Sequence, residues 1–213
     1  LTSFKNGRLI WPTVANDGKT IVFERNFGIW SLDVASGKTA EVPITLRGAS
    51  ASPASDHQTL TQGFQSLALS PDGKKIAFVS NRGDHSFVAI YQFGRETLQY
   101  VLPTPDRDIY PRWSPDGNHL AFVRVPGKLQ KQPILPQTPE PWAIWVYDVA
   151  SDKGTEVWHS GNALDDSLPR LTADVSFQFA GKNRLVFASE KDGWNHLYSV
   201  STAGSEAVLL TPG

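Results

Sequence analysis

The chain has 213 residues, 20 basic and 21 acidic, and a formal net charge of −1, so it carries no strong positive field with which to collect nucleic acid or an anionic membrane surface. Cysteine is absent, which excludes disulfides, thiolate metal sites and a cysteine nucleophile, and no apolar run approaches the ~20 residues that span a bilayer. Leu1 opens a segment without signal-peptide character, and a start without Met is the expectation for a mature or excised fragment.

In chain order, the first apolar runs are "LIWPTVA" from Leu9 and "IVFE" from Ile21, joined by the turn "NDGKT" and followed by "GIWSLDV" from Gly28 and "AEVPIT" from Ala40. Asp-Gly between apolar runs is a hairpin signal, because tight hairpin turns need φ > 0. These runs predict one antiparallel four-stranded unit over residues 1–46. An insertion of small polar residues, 47–59, follows and is expected to be a mobile loop. The second unit, 60–105, reads "SLALS" from Ser66, "IAFV" from Ile76, "FVAIYQF" from Phe87 and "LQYVLP" from Leu98. The third, 106–161, reads "DIYPRWS" from Asp108, "LAFV" from Leu120, "WAIWVYDV" from Trp142 and "TEVWHS" from Thr155. Within it the insertion 125–141 carries five prolines, which resist regular hydrogen bonding and predict an extended path across one face. The fourth unit, 162–213, reads "SFQFA" from Ser176, "LVFA" from Leu185, "HLYSVS" from His196 and "AVLLTP" from Ala207.

The turn glycines Gly18, Gly73, Gly117 and Gly181 mark a repeat whose period, once the insertions are set aside, is roughly 43 to 47 residues, the range of a propeller blade. Runs such as "IAFV" and "LAFV" are apolar at consecutive positions, so both faces of each sheet must be buried. Radial stacking of blades achieves this. The fold class predicted is all-β: a β-propeller with four four-stranded antiparallel blades, able to close as a four-bladed ring. Trp30, Phe78, Phe122, Trp145 and Phe187 are the expected filling between blades.

Several polar groups invite chemistry. Ser114, Asp116 and His119 lie around one hairpin turn, where an Asp accepts backbone hydrogen bonds and a Ser starts the turn; a triad needs side chains converging from different elements. The turn is the expectation, and no catalytic residue is assigned. The pairs Asp106/Asp108 and Asp165/Asp166 lack a calcium-loop pattern and are expected to be solvated loop charges; no metal or cofactor is assigned. His196 is expected to fix the turn beside Trp194. The candidate ligand-binding residues lie on or before innermost strands, which line a propeller's channel: Asp108, Tyr110, Arg112 and Arg170. A guanidinium there can hold a peptide carboxylate or carbonyl, or form a salt bridge between blades, for instance Arg112 with Asp108.

"SPDGKKIAFVSNR" from Ser70 and "SPDGNHLAFVRV" from Ser114 resemble the TolB-type propeller repeat. "DRDIYPRWSPDG" from Asp106, "EPWAIWVYD" from Glu140 and "SEKDGWNHLYSV" from Ser189 resemble the propeller of bacterial prolyl oligopeptidase and dipeptidyl peptidase IV-type serine peptidases. The opening, from Gly7, is similar to the propellers of tricorn-like peptidases. The resemblance implies a ring of six to eight blades, completed by further sequence or by self-association of a second copy. It also implies a non-catalytic domain that binds peptide or protein and restricts entry to a separate hydrolase domain, in a periplasmic or extracellular setting. The nucleophile elbow Gly-x-Ser-x-Gly of that hydrolase domain occurs nowhere in the chain. A second reading is a TolB-like protein–protein interaction scaffold with no peptidase partner; a third is a propeller with metal-assisted hydrolase activity.

Overall fold

The repeated Ser-Pro-Asp-Gly builds one turn twice. In the computed structural model the Gly73 N–H donates to Ser70 C=O at 2.9 Å and Ser70 N–H to Lys75 C=O at 2.9 Å. The Ser70 hydroxyl donates to Asp72 Oδ1 at 2.7 Å and accepts the Lys75 N–H at 2.9 Å, while Asp72 Oδ1 also accepts the Lys74 N–H. Ser114, Asp116, Asn118 and His119 repeat every one of these bonds. The Ser114 hydroxyl comes first and the Asn118 N–H second in holding the Asp116 carboxyl below its ordinary value. Only the glycine of each Asp-Gly pair has positive φ, 68° at Gly73 and 72° at Gly117, so the loop is a Pro-initiated four-residue turn and not the two-residue hairpin that Asp-Gly suggests. The same turn at Ala15–Gly18 keeps the backbone bond and the Asp17 contact to Lys19 N–H, but Ala15 lacks the hydroxyl. Ala15→Ser is therefore expected to stabilise the chain by about 0.5–1 kcal/mol, read as a higher thermal midpoint.

The structure describes residues 4, 8–44, 63–127, 138–169, 177–181 and 183–212, which form two units, 1–62 and 63–213. The first insertion, 47–59, and the centre of the second lie outside the described residues. In the first unit β1 (Leu9–Val14), β2 (Thr20–Arg25), β3 (Gly28–Asp33) and β4 (Thr39–Glu41) form an antiparallel sheet in sequence order. Its buried face holds Phe23 and Leu32, with Phe4 set edge-on to Phe23 and Trp30.

In the second unit the strands are β5 (Phe64–Leu69), β6 (Lys75–Asn81), β7 (Ser86–Gln92), β8 (Thr97–Tyr100), β9 (Arg107–Trp113), β10 (His119–Val125), β11 (Ala143–Asp148), β12 (Lys153–His159), β13 (Phe177–Phe179), β14 (Arg184–Ser189), β15 (His196–Ser201) and β16 (Val208–Leu209). Each run read as a strand from the sequence forms one. β13 to β16 make a separate four-stranded sheet, but β5 to β12 are joined into eight strands by one parallel bridge, Ser86 to Arg107. The cause is local: Ser86 N–H donates to Asp106 C=O and its hydroxyl to Asp108 C=O, so the blade edges meet before they diverge.

Alternate residues of β10 face different neighbours. Leu120 and Phe122 bury against Ala77, Val79, Val88 and Ile90 of the preceding blade. Ala121 and Val123 bury with Ile144 and Val146 against Leu185, Phe187 and Tyr198 of the next. Consecutive apolar residues are needed in β10 because its blade has a neighbour on both sides. Phe122 and Phe187 are buried and Trp145 is half-buried in these two clusters, so these three rings fill the space between blades, whereas Phe78 meets Phe64 of its own blade and Trp30 meets Phe4 of its own unit.

Candidate functional site

β9 and the residues leading into it hold the polar groups that the sequence singled out. Asp106 and Asp108 are not solvated: Asp106 is 9% exposed and Asp108 0%. Two carboxylates can sit there because each is bonded. Arg124, at the end of β10, clasps Asp108 with Nε to Oδ1 at 2.7 Å and Nη2 to Oδ2 at 2.8 Å, and gives Leu102 C=O a further bond at 2.7 Å. Its guanidinium lies 4.9 Å from the centre of the Trp145 ring. Burial, opposed by the Arg124 hydrogen bonds and charge, pushes the Asp108 carboxyl up to about 6. Asp106 Oδ1 accepts the Gly127 N–H at 3.1 Å, and Arg107 reaches Glu140 at 2.6 Å. Gly127 and Glu140 are the two stems of the proline-rich insertion, so Asp106 and Arg107 each clamp one stem, while Asp108 holds Arg124 just before it.

The partner of Asp108 is thus Arg124 and not Arg112. Arg112 donates through Nε to Phe177 C=O at 3.2 Å and through Nη1 to Pro111 C=O at 3.0 Å, tying β9 to β13. Trp113 ties it the other way, with Nε1 to Ala68 C=O of β5 at 2.9 Å. Tyr110 is half-buried against the core between the third and fourth blades, and its hydroxyl makes no hydrogen bond to a described residue. Arg170 lies outside the described residues. The structure therefore brings Asp108, Tyr110 and Arg112 onto one inner strand, with the first committed to a buried ion pair.

The backbone at Tyr110 is unusual. Trp11, Ser66 and Tyr110 all have left-handed φ, 54°, 52° and 56°, and each stands three residues before the end of its inner strand. Pairing slips at all three places, so each is a β-bulge. Proline follows Trp11 and Tyr110, and proline in strands concentrates at bulges, a signal present in the sequence. A left-handed non-glycine residue costs on the order of 1–2 kcal/mol, and repetition at equivalent positions shows that the repeat itself imposes it.

The other candidates resolve locally. The His119 ring faces Asp148 at 3.5 Å, while Ser114 bonds to Asp116 and the His119 backbone, so these three residues form a turn. His196 lies between Asp192, at 3.7 Å, and Thr211, at 3.4 Å, and Asp192 also accepts from Tyr198 and the Trp194 N–H. Asp165 is exposed and Asp166 half-buried. Among the described residues no group of three or more His, Asp or Glu side chains could hold a metal ion. Among the described residues there is no helix long and apolar enough to cross a membrane.

These stacked antiparallel sheets define the class: an all-β chain with the blade architecture of a β-propeller. The chain is similar to a puromycin-hydrolyzing peptidase of Mycobacterium tuberculosis, with 19% identity and a TM-score of 0.51 over 97% of this chain and 31% of that one. It is similar also to the acylaminoacyl peptidase of Pyrococcus horikoshii, with 15% identity and a TM-score of 0.50 over 98% and 33%. TolB from Acinetobacter baumannii matches with 18% identity and a TM-score of 0.45, over 95% of this chain and 43% of that one. The chain thus spans less than half the length of these three proteins. No protein-family model and no curated protein matches it.

Proposed function

We propose that the chain is a non-catalytic, peptide-binding propeller segment that restricts access to a serine-peptidase domain outside these 213 residues, within a ring of more than four blades completed by further sequence or by a second copy. The observation that carries this reading is the inner strand β9. Its bulge lies at Tyr110, half-buried and two residues before Arg112, on a strand braced to both neighbouring inner strands and to the base of an insertion. Rigid presentation of few polar groups suits a binding rim, because little ordering is left for the ligand to induce. Tyr110 supplies a donor for a peptide carbonyl and Arg112 a fixed positive charge for a carboxylate. A periplasmic or extracellular setting accords with the resemblance to exported bacterial proteins.

The test is titration of the chain with a fluorescently labelled peptide pool. Saturable binding is expected, weakened about tenfold by Tyr110→Ala with the fold retained, and an active-serine probe should leave the chain unlabelled. Binding indifferent to Tyr110, or labelling by the probe, would overturn the reading. Binding through the opposite loop ends, unaffected by Tyr110 and Arg112 changes, would favour the scaffold alternative.

A further inference from the structure

The hairpin joining β6 to β7 carries Arg82, Gly83 and Asp84 in succession at its apex, all three exposed. The strands close directly beneath, at the pair Asn81 and Ser86, and the Arg82 N–H donates to His85 C=O at 2.9 Å. The turn is therefore four residues long and braced at its base. Gly83 has φ 90°, a conformation that L side chains rarely adopt, so the residue between the two charges is required to be small by the backbone itself. Both charged side chains rest on the hairpin flank: Arg82 Nη2 donates to the Tyr100 hydroxyl at 2.9 Å, and Asp84 Oδ1 lies 2.7 Å from His85 Nδ1. Beneath them the His85 ring packs edge-on to Phe87, and Phe87 to Tyr100. The Asp84 side chain keeps 59% of its surface in solvent.

We propose that this apex is a docking motif for a cell-adhesion type of receptor, one that takes the Asp84 carboxylate on a bound divalent cation and the Arg82 guanidinium on its own carboxylates. A carboxylate is a hard oxygen ligand for magnesium, calcium or manganese, and a guanidinium pairs with carboxylates through two parallel bonds. One carboxylate alone holds a free cation poorly, so the partner must bring the cation already bound with a coordination position open. Glycine between the two charges leaves nothing to obstruct a partner that reaches both at once. Arg-Gly-Asp at the tip of an exposed turn is the tripeptide that adhesion receptors read by this chemistry. The Arg82–Tyr100 and Asp84–His85 contacts are themselves exposed surface interactions of the kind worth little.

The experiment uses the whole chain, immobilised, and the purified ectodomain of an Arg-Gly-Asp-reading adhesion receptor in millimolar manganese. Saturable binding is expected, abolished by EDTA and weakened at least about tenfold by Asp84→Glu, which keeps the charge but moves the carboxylate out by one methylene. Arg82→Lys, which keeps a charge but not the planar fork, should weaken it in the same direction. Thermal melts of both variants should match the wild type, since neither side chain is buried. Absence of binding, binding that persists in EDTA, or equal binding by Asp84→Glu would each overturn the assignment.

Discussion

Replacing Arg124 with methionine is expected to cost the fold about 3–5 kcal/mol, because it leaves Asp108 fully buried without its partner. At this chain length that lowers the thermal midpoint by about 10 °C. The double variant Arg124→Met with Asp108→Asn should recover much of the loss, since no uncompensated charge then remains. The pH dependence has a definite sign. Burial already places the Asp108 carboxyl at about 6, above its ordinary value of 3.8, with Arg124 pulling it down. A carboxyl raised in the folded state takes up its proton more readily there than in the unfolded chain, so its contribution favours folding increasingly as pH falls from above 6 towards 4. Without Arg124 the carboxyl rises further, and the deficit of the variant against wild type should narrow at pH 5 relative to pH 8. Chemical denaturation at the two pH values measures it. A deficit that widens at pH 5 would contradict the burial argument.

Phe187→Ala is the second large effect, expected at about 3–5 kcal/mol. Phe187 is 1% exposed, and its ring meets Trp142 at 5.6 Å, Trp158 at 4.5 Å and Tyr198 at 6.0 Å. Trp142 and Trp158 belong to one blade and Phe187 and Tyr198 to the next, so truncation empties the joint between two sheets that hydrogen bonds barely cross. The loss should appear as destabilisation of the fourth blade in native-state proteolysis as well as in the global midpoint. A ring that merely decorated the surface would give a change within about 0.5 kcal/mol.

The strands were legible in the sequence because the repeat writes each one after the same turn, and because burial on both faces leaves consecutive apolar letters at Leu120 to Val123. The turn chemistry was legible only in part: Asp-Gly pointed to the hairpin, while the Ser70 and Ser114 hydroxyl bridges that set its four-residue length depend on side-chain geometry that the dipeptide alone does not specify. Asp106 and Asp108 read as solvated charges because nothing in their spacing shows the partner 16 residues away from Asp108. The clue was Arg124 itself, a charge ending a doubly buried strand where the second repeat has Ser80; such an arginine needs a buried carboxylate. The bulge at Tyr110 left a trace in the following proline, although Ser66 bulges identically without one.

Amide hydrogen exchange with and without saturating peptide tests the account most directly, because it reads the braced strand and its proposed ligand together. The amides of Asp108 and Arg124 should be among the slowest in both states, and those of Tyr110 and Arg112 should gain protection when peptide binds. Fast exchange at Asp108 and Arg124, or inner-strand protection unchanged by bound peptide, would contradict it.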